Sequence, residues 1–142
     1  MAALVDANIL VYRFDPRDAR KQRIAEALLR DGIRNDSIRL PHQAVIEFVA
    51  AATRQLAGQA LLTPEDARRE AEELLSMFEV LYPNEALVRT ALRGAAAYNL
   101  SWFDAHLWAY AEHFGMEVLY SEDFQHDRLY GSVRVVNPFI ER

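Results

Sequence analysis

The sequence predicts an α/β fold, a three-layer α/β/α sandwich built on a five-stranded parallel sheet. Two observations carry this prediction. Short apolar runs alternate with longer stretches of helical periodicity along the whole chain, and strands separated by helix-length crossovers pair in parallel through right-handed connections. At 142 residues, 51% of them hydrophobic, the chain has the size and apolar content of one domain with a sizeable core. Residues 1–142 therefore read as a single unit.

Ala3-Leu4-Val5 is a brief apolar run that ends in Asp6-Ala7-Asn8 and reads as a buried strand. Residues 16–31 read as a helix with Ile24, Ala27, Leu28 and Leu29 on its apolar face; Pro16 suits the first turn and Gly32 the stop. Ser37-Ile38-Arg39-Leu40 is a second strand, closed by Pro41, and a helix over 42–57 follows, ended near Gly58. Thr63-Pro64-Glu65-Asp66 starts another helix, with Thr63 as cap and Pro64 at the first helical position, running to Met77. Phe78-Glu79-Val80-Leu81-Tyr82 alternates up to Pro83 and forms a third strand. Helices over 84–98 and 102–114 come next, the latter stopped by Gly115. Glu117-Val118-Leu119-Tyr120 and Val133-Arg134-Val135-Val136 are the fourth and fifth strands.

No apolar run approaches the ~20 residues needed to span a bilayer. Met1-Ala2-Ala3-Leu4-Val5-Asp6 has no basic region and reaches a carboxylate early, so it is not expected to act as a secretory leader. Cysteine is absent, which excludes disulfides and thiolate metal sites. A soluble cytoplasmic protein without membrane contact is expected. The formal charge of −5 speaks against a protein that coats nucleic acid. Field is local, however, and residues 13–39 hold eight cationic side chains against five acidic ones. That stretch is either a phosphate-facing side or a solvated helix surface.

In such a fold, ligands bind beyond the carboxyl ends of the strands near a topological switch point. Asp6 directly follows the first strand and Asp123 follows the fourth by two residues, with Asn8 and Ser121 beside them as small polar groups. Each acid taken alone is also explained as a cap or a turn residue. Glu47 is the sole charged side chain between His42 and Arg54, on a helix otherwise apolar at Val45, Ile46, Phe48 and Val49. A carboxylate there is costly unless paired, hydrogen-bonded or bound to a cation, so either a structural ion pair with an arginine or a ligand role is expected. Asp104 opens a helix, where the dipole alone favours an acid. Four converging carboxylates repel unless protonated or neutralised by metal. Magnesium, with manganese as a substitute, is the natural occupant of an all-oxygen site, and it suits in-line displacement at a phosphodiester. The histidines show no zinc spacing.

The ordered set of a strand leading into Asp6-x-Asn8, Glu47 on the next long helix but one, Trp102-Phe103-Asp104-Ala105, and Leu119-Tyr120-Ser121-Glu122-Asp123-Phe124 resembles the PIN domain. It is especially similar to the VapC-type toxins of bacterial toxin–antitoxin pairs, over essentially the whole chain. The resemblance implies a magnesium-dependent endoribonuclease in which Asp6, Glu47, Asp104 and Asp123 bind metal, supported by Asn8 and Ser121. It also implies a homodimer, inhibited by a cognate antitoxin. Arg13, Arg17 and Arg20 are then expected to contact RNA or antitoxin. His106 stands where many relatives carry a small or aliphatic residue, and Asp127 is either an additional acid or a turn residue. Two alternatives stay open. One is a haloacid-dehalogenase-type phosphatase with Asp6 as nucleophile, although Asn8 occupies the position where that chemistry wants a second aspartate. The other is a non-catalytic module that binds RNA or a peptide.

Overall fold

The computed structural model describes residues 2–55 and 58–140. In chain order the elements are β1 (Ala3–Val5), α1 (Ala7–Tyr12), α2 (Ala19–Asn35), β2 (Ile38–Pro41), α3 (His42–Thr53) and α4 (Pro64–Met77). They continue with β3 (Glu79–Leu81), α5 (Glu85–Tyr98), α6 (Trp102–His113), β4 (Val118–Tyr120), β5 (Leu129–Tyr130) and β6 (Val133–Val136). The strands form one sheet in the order β3-β2-β1-β4-β6-β5. β3, β2, β1, β4 and β6 run parallel, and β5 pairs with β6 antiparallel at the edge.

Strand alternation sends successive side chains to opposite faces, and two cores result. Val5, Ile38 and Leu40 pack under α1–α4 with Leu10, Leu29, Phe48 and Leu74. Leu4, Leu119 and Val135 pack under α5 and α6 with Leu87, Ala91, Leu107 and Trp108. β1 is buried throughout, as a central parallel strand covered on both faces must be. α5 and α6 meet closely at Gly94: a Cβ there would lie 2.2 Å from Trp108 Cζ3. The Trp108 indole in turn donates to the Tyr130 carbonyl oxygen at 3.0 Å, tying α6 to the edge hairpin.

The expected layered architecture is present, and the differences are local. β5 adds a sixth strand, too short for any periodicity. Its signal was the Gly131-Ser132 pair between Tyr130 and Val133, with Gly131 at φ +60° as a tight hairpin requires. α1 is missing from the sequence reading because six residues hold fewer than two turns. The helix expected over 16–31 lies at 19–35: Pro16 precedes it, Asp18 caps it by accepting from Lys21 N, and it ends at Asp36 with φ 51°. Gly32 is not its stop. It sits inside the helix because Ile38 packs onto it, and a Cβ would fall 2.3 Å from Ile38 Cδ1. The helix expected over 42–57 ends at Thr53; residues 56 and 57 lie outside the described residues. Thr63 caps α4 as expected, accepting from Asp66 N.

Candidate active site

The strand order reverses direction at β1: β2 and β3 extend to one side, β4 and β6 to the other. The carboxyl ends of β1 and β4 therefore flank a switch point, where a crevice opens between diverging connections. Val5 lies opposite Tyr120 in register, so the next residues, Asp6 and Ser121, are brought side by side. Asp6 N donates to Tyr120 O at 3.0 Å.

Asp6 occupies the N-cap position of α1, yet its side chain caps nothing. The carboxylate is buried and accepts from Ser121 Oγ at 2.8 Å. Ser121, fully buried, accepts in turn from Asp123 N at 3.1 Å. Asp123 Oδ2 accepts from the Asn8 amide at 3.2 Å. The two supporting residues thus each hold one of the two acids. Capping, the local alternative for Asp6, is replaced by a contact 115 residues away in sequence.

Glu47 and Asp104 come from helices on opposite faces of the sheet, α3 and α6. Glu47 is half-buried, not enclosed, and the apolar neighbours that made it look costly face elsewhere: Val45 and Phe48 are in the core, while Ile46 is exposed. It accepts from the Gln43 amide at 2.9 Å, one helical turn back, and makes no ion pair with an arginine among the described residues. The same Gln43 nitrogen reaches Phe103 O at 3.2 Å, joining α3 to the start of α6. Asp104 N donates to Ser101 Oγ at 3.2 Å in the cap of α6. This leaves its carboxylate in the first turn, beside the crevice.

Electrostatics connects all four acids. Burial pushes the Asp6 carboxyl up to about 7; the Ser121 hydroxyl opposes this, and the charges of Asp123 and Glu47 add to it. Burial likewise raises Asp104, with a further push from Asp123. Asp123 is near enough to Asp6 to disfavour ionisation of both at once, a conflict that two carboxylates relieve by retaining a proton. A cation between them would satisfy the same need. No group of three acidic or histidine side chains among the described residues encloses a potential ion. The donor set still fits a hard divalent cation, because magnesium is commonly held through one or two carboxylates and retains several waters. Asp6 and Asp123 are the pair placed to do so.

The arginines behave differently from one another. Arg13 does not present itself to a ligand: its guanidinium lies 4.6 Å over the Phe14 ring and 3.9 Å from Glu70 of α4. Burial lowers its pKa, and its Nε is enclosed without a partner. Arg17 is more than half exposed and forks onto Asp15 at 2.8 and 2.9 Å. Arg20 Nη2 donates to Phe139 O. Asp127 sits in a turn at φ 63°, with its carboxylate 3.3 Å from Arg134.

Sequence reasoning missed two supports. Gln43 stands four residues before Glu47 on one helix, a spacing that was there to be read. The other had no local signal. Glu122, between Ser121 and Asp123, accepts from Tyr12 OH at 2.5 Å and pairs with Lys21 Nζ at 2.7 Å. Lys21 lies over the rings of Tyr12 and Phe139 at 4.8 and 5.3 Å. This cluster anchors the segment carrying Asp123 to α1 and α2.

A family model described as the PIN domain matches residues 3–132. No curated protein matches the sequence. Among solved structures, a toxin-antitoxin complex from Klebsiella pneumoniae is similar at 19% identity and a TM-score of 0.69, covering 96% of this chain and 98% of that one. FitAcB from Neisseria gonorrhoeae is similar at 21% identity and a TM-score of 0.64, covering 96% and 98%. A sarcin-ricin loop cleaving VapC toxin from Mycobacterium tuberculosis is similar at 16% identity and a TM-score of 0.65, covering 86% and 90%.

Proposed function

Since the chain belongs to the PIN-domain family, we propose that it is a divalent-metal-dependent endoribonuclease, the toxin member of a toxin–antitoxin pair. The observation that carries the nuclease reading is the buried Asp6 carboxyl, raised to about 7 against Asp123 at the sheet's switch point and leaning on Ser121. The Ser121 hydroxyl offsets only part of the cost of ionising Asp6 beside a second carboxylate, and a bound cation would offset the rest. Asp6 and Asp123 would hold Mg2+, or Mn2+ in its place, with Glu47 and Asp104 completing the acidic rim. Bound there, the ion supplies a Lewis acid for a phosphoryl oxygen and an acidified water. Ser121 fixes the Asp6 carboxylate and Asn8 that of Asp123. Gln43 fixes Glu47.

Asn8, where a phosphatase of the haloacid-dehalogenase type needs its second aspartate, sets that reading aside together with the family. The toxin role rests on the company the fold keeps, since similar structures include toxin-antitoxin complexes. It implies a cognate antitoxin as partner, a homodimer and a cytoplasmic site of action. No described helix is long and apolar enough to cross a membrane.

The purified protein is expected to cut RNA with magnesium or manganese. Asp6→Asn should abolish cutting while leaving the circular dichroism spectrum unchanged, and Glu47→Gln and Asp104→Asn should be comparably damaging. Cleavage retained by Asp6→Asn refutes the assignment. Co-purification of a small protein encoded beside this chain, and inhibition by it, tests the toxin role separately.

A further inference from the structure

Beside Glu47 lies a second concavity of about 390 Å³, between α3 and the start of α6, which the acids do not account for. Its walls include Ile46, Trp102 and Phe103, which are 56%, 43% and 70% exposed. Three large apolar side chains gathered in one exposed patch mark a contact site. The Trp102 ring meets His106 edge-on, with centroids 4.6 Å apart at 78°, so the pair forms a corner and not a stack. Gln43, His42 and His106 add hydrogen-bonding atoms to this mostly apolar lining, and the single formal charge that lines it is Glu47.

We propose that this groove is a subsite for one unpaired nucleobase of the RNA substrate. The inference rests on the ribonuclease reading and deepens it. Three properties select a base over other occupants. A carboxylate as the sole charge repels phosphate but tolerates a neutral ring, so backbone and base are sorted between the acidic crevice and the groove. Aromatic walls with a few polar atoms are what single-stranded bases bind, by stacking and by edge hydrogen bonds. The volume lies at the lower end of the ~300–1,000 Å³ of small-ligand pockets, the scale of a single ring system. The groove is also continuous with the acids. Glu47 and Phe103 line both it and the adjoining depression formed with Ala7, Asn8 and Arg54. A base in the groove therefore belongs to a nucleotide next to the bond being cut.

The test uses a single-stranded oligoribonucleotide that the protein cuts, with one abasic residue walked through the positions flanking the scissile bond. Wild type is expected to lose on the order of tenfold in kcat/KM when the base at one of these positions is missing. In Trp102→Ala and Phe103→Ala that penalty should shrink to about twofold, while penalties at other positions persist. An unchanged pattern in both variants overturns the proposal, as does the absence of any base-dependent position in wild type. A change of oligomeric state in the variants, read by light scattering, also overturns it and assigns the face to a second copy.

A binding arm separates this inference from the ribonuclease reading. Fluorescence anisotropy with the four short homo-oligoribonucleotides and an abasic oligomer of equal length needs no cleavage. If no RNA is cut but a base-dependent affinity is lost in Trp102→Ala, the subsite stands and the nuclease fails. If binding is equal with and without bases, the subsite fails whatever the cleavage result.

Discussion

Replacing Asp6 by asparagine removes the carboxyl group that the fold most disfavours in its charged form. It titrates at about 7 in the folded chain, against an ordinary 3.8. At about 1.4 kcal/mol per pH unit of separation, keeping it ionised near pH 8 costs the metal-free protein about 4 kcal/mol. The sign comes from counting protons. Between 3.8 and about 7 the folded chain retains a proton on Asp6 that the unfolded chain has lost. Stability from this group is therefore full below the lower value, falls as pH rises, and is gone above the upper one. The neutral amide carries no such penalty, and its carbonyl oxygen still accepts from Ser121. Urea denaturation in chelator should find Asp6→Asn more stable than wild type near pH 8, by up to about 4 kcal/mol, and level with it near pH 4. Magnesium should narrow this gap near pH 8, because an ion that binds only the folded wild type stabilises it by mass action. Parallel pH–stability curves in chelator, or equal stabilisation of both proteins by magnesium, would refute the reasoning.

Ser121→Ala removes the donor that holds the Asp6 carboxyl down; the acid limb of manganese binding, followed by calorimetry against pH, should move to higher pH. Gly94→Ala drives a methyl into the Trp108 ring, 2.2 Å from Cζ3. Overpacking a buried contact costs about 1–3 kcal/mol, read as a lowered Tm with cleavage specificity unchanged. Lys21→Met and Glu122→Gln should couple by about 1 kcal/mol in a double-mutant cycle, as contacting partners do. Their side chains are 26% and 18% exposed and 2.7 Å apart. Additive effects would remove this pair as the anchor of the Asp123 segment.

By itself, the sequence determined whatever depends on neighbours along the chain. The cap at Thr63, the strand Val133–Val136 and the place of Asp6 just past the first strand all follow from local chemistry. Periodicity and caps act over a few residues, so they are legible without the fold. The ordered acids were legible too, as a family pattern. What sequence could not assign was the environment of each acid, because burial is set by elements far apart in the chain. Glu47 looked the costliest carboxylate from its helical neighbours, yet a helix has two sides and its own faces Gln43 and the open groove. The cost falls on Asp6, enclosed between β1 and β4 by residues about 115 positions away. In the same way Arg13 reads as a surface cation until α4 brings Glu70 against it. Gly32 reads as a stop until Ile38 packs onto it. Tertiary structure decided these because desolvation and charge depend on distance in space; for Asp6, the parallel pairing of β1 with β4 is what sets that distance.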